Sequence, residues 1–168
     1  KKNYRKKISL DDVDAFIFDF DGVLTNNLVF VDEKGKESVV CNRSDGLAFQ
    51  ILNHYKAKLF ILSSEYNPVV KSRAEKLKVN FLSGFKEKKI GLNLLVKKYR
   101  LNKNKIFYVG NDLNDFSSMI QCGFKACPSD SHPMIKKISN YKLNSRGGDG
   151  IVREIVEDIF DIDLVRHL

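Results

Sequence analysis

The apolar run Ala15-Phe16-Ile17-Phe18 stops directly on Asp19-Phe20-Asp21-Gly22-Val23-Leu24-Thr25. A short run rich in β-favouring residues and closed by a glycine turn predicts a buried strand from about Asp14 to Asp19, with two carboxylates in the loop at its C-terminal tip. Buried strand ends rarely carry two acids, because each needs a partner charge, a metal or a set of hydrogen bonds to stay ionised. A divalent cation between them supplies such a partner. An acidic turn facing water is the alternative.

The arrangement recurs along the chain. Lys58-Leu59-Phe60-Ile61-Leu62 reads as a second buried strand and ends in Ser63-Ser64-Glu65, before a helix opened at Asn67-Pro68. Asn80-Phe81-Leu82 is a short strand, followed by Lys86-Glu87-Lys88-Lys89 and an amphipathic helix from Ile90 to Tyr99. Lys105-Ile106-Phe107-Tyr108-Val109 places Gly110-Asn111-Asp112-Leu113-Asn114-Asp115 at its tip, with a helix over Phe116 to Gln121 and a strand at Phe124-Lys125-Ala126-Cys127 beyond. Ser44-Asp45-Gly46 opens a further helix through Leu52, with the serine or the aspartate as its cap. Strands alternating with helices predict an α/β fold with a mainly parallel sheet and right-handed crossovers. Ligands in such sheets sit beyond the carboxyl ends of the strands, so the acidic tips and the serine pair face one crevice.

Leu28-Val29-Phe30-Val31 and Glu37-Ser38-Val39-Val40-Cys41 flank a polar turn containing Gly35 and predict a hairpin beside the first acidic loop, as a flap or a subunit contact. Ser63 and Ser64 suit either ordinary turn chemistry or the holding of a phosphate at a helix start. Lysines at the start of a helix oppose its macrodipole, which calls for a nearby anion or a solvated face. His132, before Pro133, reads as a helix-entry residue, and Arg146-Gly147-Gly148-Asp149-Gly150 as a flexible segment ahead of a helix from Ile151 to Phe160.

With 168 residues, 43% hydrophobic and 30% charged, the chain suits one domain, assigned to residues 11–168 behind a basic leader or linker over residues 1–10. Its apolar runs fall short of the roughly 18 residues of a membrane span, and a cytoplasmic setting without membrane contact is expected. Cys41, Cys122 and Cys127 lack the spacing of a zinc site or a disulfide framework and read as reduced thiols. The net charge of +8 comes from scattered lysines, with the aromatics at core-like positions. That distribution argues against a nucleic-acid groove and leaves an anionic small substrate as the partner such charge attracts.

An ionised carboxylate can attack a phosphoryl group and divide one hard displacement into two easier ones. Mg²⁺ removes the repulsion between the two anions and takes a few oxygen ligands, here Asp19, the Asp21 carbonyl and Asp112. Ser63 and a lysine then hold the phosphate oxygens, while Asp21 protonates the leaving alkoxide and later activates water.

Taken together these stretches resemble the haloacid dehalogenase phosphatases. Asp19-Phe20-Asp21-Gly22-Val23 matches their first motif, Ser63 the second, Lys88 the third and Gly110-Asn111-Asp112-Leu113-Asn114-Asp115 the fourth. The resemblance implies a three-layer Rossmann-like fold with Asp19 as nucleophile and Asp21 as general acid and base. It also implies Ser63, Ser64 and Lys88 on phosphate, Asp112 on Mg²⁺, and Asn111 and Asp115 in support. Many relatives carry an aspartate where Asn111 stands.

Only about forty residues separate Asp21 from Ser63, and the hairpin, a helix and a strand occupy them, so no inserted cap is expected. The hairpin, Ser44-Asp45-Gly46 and Gly147-Gly148-Asp149-Gly150-Ile151-Val152-Arg153-Glu154 are similar to the capless branch acting on 2-keto-3-deoxy sugar-acid phosphates. That branch implies a homotetramer in which hairpin and tail cover a neighbour's site.

Ser63-Ser64-Glu65 departs from the Thr-Gly-Arg usual in octulosonate 8-phosphate phosphatases. Glu65 with Lys76 in Arg73-Ala74-Glu75-Lys76-Leu77-Lys78-Val79 is similar to the nonulosonate 9-phosphate branch. Glu65, Lys76 and Asp45 are the implied specificity residues, unless Glu65 merely caps the helix at Pro68. The same branch also occurs fused to cytidylyltransferases that activate sialic acids, where a non-catalytic assembly role is the alternative.

Overall fold

Each residue of Ala15–Phe18 is buried, as a strand covered on both faces requires, and alternate side chains enter separate cores. Phe16 and Phe18 join one cluster, with Ile61, Phe107 and Val109. Ala15 and Ile17 join the other, with Phe60, Leu62, Ile106 and Tyr108. The computed structural model, which describes residues 8–167, therefore has three layers, helix on sheet on helix.

In chain order the elements are β1 (Ala15–Phe18), β2 (Phe30–Val31), β3 (Glu37–Ser38), α1 (Arg43–His54), β4 (Leu59–Leu62), α2 (Pro68–Leu77) and β5 (Asn80–Leu82). There follow α3 (Lys88–Tyr99), β6 (Ile106–Val109), α4 (Leu113–Met119), β7 (Phe124–Cys127), α5 (Pro133–Ile138), β8 (Tyr141–Lys142) and α6 (Ile151–Glu154), the last continuing as π turns over Ile155–Ile159. Six parallel strands run β5-β4-β1-β6-β7-β8, so the strand order reverses at β1. β2 and β3 pair antiparallel outside this sheet, with a Thr25–Cys41 bridge at the hairpin base. Leu28, Phe30 and Val40 on the hairpin are each about 70% exposed. Hairpin, α1 and their loops fill the chain between β1 and β4, leaving no inserted cap there.

Residues 1–7 of the expected basic leader lie outside the described residues. Ile8 is buried against the core, and Ser9 caps a short turn at Leu10–Asp12. Cys41, Cys122 and Cys127 are free thiols. Among the described residues no helix is long and apolar enough to cross a membrane.

Three local expectations are corrected. α1 is capped by Asn42, in extended conformation with its side chain accepting from the Ser44 N–H, so Ser44 and Asp45 fall inside the first turn. The Asp45 carboxylate is thereby released to cross to α6, where Oδ1 accepts from the N–H groups of Val152 (2.9 Å) and Arg153 (3.3 Å). Asp45 is buried and fastens α1 to α6, away from the walls of the cavity above Asp19. α4 begins at Leu113, three residues before the expected Phe116, because Asp112 and Asp115 form a capping box around its first turn.

The glycine-rich tail, third, is not a flexible segment but packs on the loop after β1. The Gly148 N–H donates to the Val23 carbonyl at 3.0 Å, and a Cβ on Gly147 would stand 2.2 Å from the Gly22 carbonyl oxygen. Only a residue without a side chain fits there.

Gly147→Ala is expected to lower unfolding free energy by about 1–3 kcal/mol, the usual effect of overpacking, because rigid backbone leaves the methyl nowhere to go. Urea denaturation measures this, and an unchanged midpoint contradicts the close packing.

Burial raises Asp45 to about 6, against the lowering effect of the Arg153 and Val152 N–H groups and Arg73. A raised carboxyl group favours folding most below its unfolded value, near 4, and that advantage is lost as the pH rises through 6. Relative to Asp45→Asn, the parent should lose up to roughly 3 kcal/mol between pH 4 and pH 7. A pH-independent difference between the two denaturation curves contradicts this.

Candidate active site

Neighbouring strand ends in a sheet lie about 4.8 Å apart, so the loops that follow β4, β1 and β6 meet where the strand order reverses. Asp19 follows β1, Ser63 follows β4, and Gly110 to Asp115 follow β6. Lys88, the first residue of α3, is buried in their midst. Its Nζ stands 2.6 Å from Asp19 Oδ1 and 2.8 Å from Asp115 Oδ1. These two carboxylates are the anions that the lysine-rich helix start calls for, and they outweigh its unfavourable position in the macrodipole.

Asp115 is saturated with donors. Oδ1 also accepts from the Tyr108 hydroxyl at 3.0 Å, and Oδ2 accepts from the N–H of Asn111 at 3.0 Å and of Asp112 at 3.4 Å. It holds the loop after β6 in shape and fixes the lysine in one operation. Asp19 has less support, with the Phe20 N–H at 2.7 Å and Lys88 as its donors.

The electrostatics follow from this imbalance. Burial and the Asp115 charge push Asp19 up to about 8, with Lys88 pulling the other way. Asp21 is also raised, by burial and then by Glu65, with Lys88 opposing. Burial draws Lys88 down, but Asp19 and Asp115 more than compensate and hold it above its ordinary value, charged.

Above this cluster lies a cavity of about 420 Å³ lined by Asp19, Asp21 and Asp112, with Asn111, Ser64 and Glu65 on its walls. Three further residues, given no role from the sequence, complete it: Asn27, Leu113 and Asn114. Asn114 Nδ2 donates to Ser64 Oγ at 3.0 Å, joining α4 to the loop after β4. Asn27 has a left-handed backbone, φ 64°, which asparagine tolerates better than most residues and which the letter alone did not disclose.

Ser63 is buried beside the cavity, and its Oγ accepts from the Glu65 N–H at 3.1 Å, so turn chemistry accounts for one of its lone pairs while Ser64 faces the opening. Glu65 does not cap α2, since Asn67 does so through the Val69 N–H. Lys76 lines a different cavity, of about 600 Å³, with Arg43, Arg73 and Lys78, and shares no wall with Asp19. His132 caps α5 by accepting from the Met134 N–H.

The donor set fits a hard divalent cation. Asp19, Asp21 and Asp112 bring oxygen ligands to one opening, and the Asn111 Oδ1 is buried there without a partner. Among the described residues no three His, Cys, Asp or Glu side chains stand grouped for a metal.

A buried lysine bridging two acids at the tips of adjacent parallel strands defines a hydrolase of the haloacid dehalogenase type, and comparison with known proteins agrees. The family model described as haloacid dehalogenase-like hydrolase matches residues 48–155. The chain belongs to that family. It is 27% identical over 142 residues to the 3-deoxy-D-manno-octulosonate 8-phosphate phosphatase KdsC of Yersinia pestis, covering 84% of this chain and 76% of that protein. The KdsC protein of Escherichia coli strain K12 is 27% identical over 148 residues, 88% of this chain and 79% of the relative.

Among solved structures, a HAD family hydrolase from Streptomyces avermitilis superposes with a TM-score of 0.91 at 33% identity, over 96% of this chain and 99% of that one. The 3-deoxy-D-manno-octulosonate 8-phosphate phosphatase of Moraxella catarrhalis, solved with a magnesium ion, a phosphate ion and a KDO molecule, gives 0.88 at 26% identity over 95% of each chain.

A carboxyl group raised to about 8 favours folding fully below its unfolded value near 4 and loses that advantage as the pH climbs toward 8. In EDTA at pH 7.5, Asp19→Asn should therefore unfold at a urea concentration no lower than the parent's, with the gap narrowing toward pH 5. A clearly lower midpoint at pH 7.5 means that Asp19 stabilises the metal-free chain and contradicts the charge balance described.

Proposed function

We propose that this chain is a Mg²⁺-dependent phosphatase of a 2-keto-3-deoxy sugar-acid phosphate, working through an aspartyl-phosphate. One observation carries the reading: buried Lys88 bridges Asp19 and Asp115 directly beneath an acid-lined cavity. Asp19, the Asp21 carbonyl and Asp112 hold the cation. When bound it neutralises charge on the carboxylate and on the phosphate oxygens.

Asp19 attacks phosphorus, forming an Oδ–P bond as the ester P–O bond breaks. Asp21, its carboxyl raised by burial and then by Glu65, passes its proton to the departing alkoxide oxygen. It then takes a proton from the water that cleaves the aspartyl-phosphate. Lys88 offsets charge as it builds on the phosphoryl oxygens, and Asp115 keeps that ammonium in place. Ser63 and Ser64, at the tip of β4, supply hydroxyl donors to those oxygens.

The relatives named KdsC support the sugar-acid class. Within it a nonulosonate 9-phosphate is favoured by Glu65, which sits on the cavity wall where a second acid accepts from hydroxyl or ammonium groups. The octulosonate 8-phosphate is the second reading, favoured by the substrate in those relatives' names. The exposed apolar hairpin supports a homotetramer, the setting in which Lys76 of one subunit can serve the site of another. The intact Asp19–Lys88–Asp115 set favours catalysis over a purely assembling role beside a cytidylyltransferase.

With Mg²⁺ the chain should release phosphate from nine- and eight-carbon sugar-acid phosphates, with the higher kcat/KM for the former. Asp19→Ala abolishes turnover, and Asp21→Asn slows sugar phosphates about 10²- to 10⁴-fold while sparing aryl phosphates, whose leaving group needs no proton. Turnover persisting in Asp19→Ala rejects the nucleophile, and equal slowing on both ester types rejects the proton donor.

A further inference from the structure

The cavity above Asp19 continues into a second one of about 330 Å³ beneath the hairpin, and the two share Asp21, Asn27 and Glu65. Its far wall is built by a clasp. Asn67 caps α2 with Oδ1, which accepts from the Val69 N–H at 3.0 Å, and its Nδ2 donates to Glu37 Oε2 on β3 at 2.9 Å. One amide thus fixes a helix start and a hairpin carboxylate together, leaving Glu37 Oε1 as a free acceptor. Leu28 and Val39 add apolar surface.

The proposed mechanism, on which this inference rests, orients the substrate. Phosphorus lies against Asp19, and the ester oxygen lies against Asp21. The alcohol part must therefore extend past Asp21, away from Asp112, into the second cavity. Among the described residues no lysine or arginine lines either space, whereas Glu37 and Glu65 both line the second. A carboxylate or second phosphate on the carbons beside the ester meets two acids and no cation. A hydroxyl or ammonium group meets two acceptors and two amides.

We infer that the groove between hairpin and α2 is the leaving-group subsite, that Glu37 and Glu65 select esters bearing hydroxyl or amino groups next to the phosphate, and that any carboxylate on the substrate lies beyond the groove. The hairpin is then part of the specificity apparatus of its own chain, with Glu37 held in register by Asn67. Removing charge from such a site acts through discrimination against the wrong ligand as much as through affinity for the right one.

The test compares glucitol 6-phosphate, with hydroxyls beside its ester, and phosphoglycolate, with a carboxylate there, in the full chain with Mg²⁺. The parent should favour glucitol 6-phosphate by about tenfold or more in kcat/KM, and Glu37→Gln should reduce that ratio at least about fivefold, chiefly through KM for the polyol. Glu37→Asp should restore part of it, and Glu33→Gln, on the exposed hairpin turn, should leave it unchanged. A parent that hydrolyses both esters with a ratio insensitive to Glu37→Gln overturns the subsite while leaving the phosphatase reading intact. A parent that hydrolyses neither ester nor any sugar-acid phosphate overturns that reading, and the subsite with it.

Discussion

A lysine ammonium buried in protein is tolerated only when carboxylates meet it, and here two do, from the ends of different strands. Lys88 is therefore a structural pin between two loops, and in the proposed mechanism it also meets the phosphoryl oxygens. It draws α3 under β1 and β6, and its charge is divided between an acid that is fully hydrogen-bonded, Asp115, and one that is not, Asp19. The inequality leaves Asp19 with the fewer donors, as the proposed nucleophile requires. A carboxylate with every lone pair engaged is a poor nucleophile, while one short of donors waits for a cation or a phosphoryl group.

The same economy appears in the loop after β6. Asp112 and Asp115 cap α4 in the ordinary manner of a helix start, yet the box they form turns Asp112 toward the cavity and anchors the lysine through Asp115. Helix capping and site assembly are one set of hydrogen bonds, so helix and site are built together.

Much of this was legible in the letters because burial and period agree. Strands at residues 15–18, 59–62, 80–82, 106–109 and 124–127 are short apolar runs bounded by polar turns, and acidic or hydroxyl groups follow those at 15–18, 59–62 and 106–109. What escaped was set by contacts distant in sequence. Asp45 looks like a helix-start acid, and only the arrival of α6, more than a hundred residues later, shows that its bonds go to Val152 and Arg153. Glycines 147 to 150 read as loose chain, since composition does not reveal what they lie against. Strand β8 has two residues and only one buried side chain, too little to register as a pattern. Asn27 and Glu37 come to line the cavities beside Asp21 only through the folded hairpin and its approach.

The seat of Gly147 and Gly148 on the loop after β1 bears on how the molecule comes into being. The backbone that steadies the turn beside Asp21 is supplied from more than a hundred residues farther along the chain, through the bond from Gly148 to Val23. During synthesis, β1 and its acids emerge more than a hundred residues ahead of the glycines that brace their loop, and stay half-supported until those have followed. The loop after β1 thus waits on residues made much later for its final shape, so that chains halted short of Gly148 lack its brace.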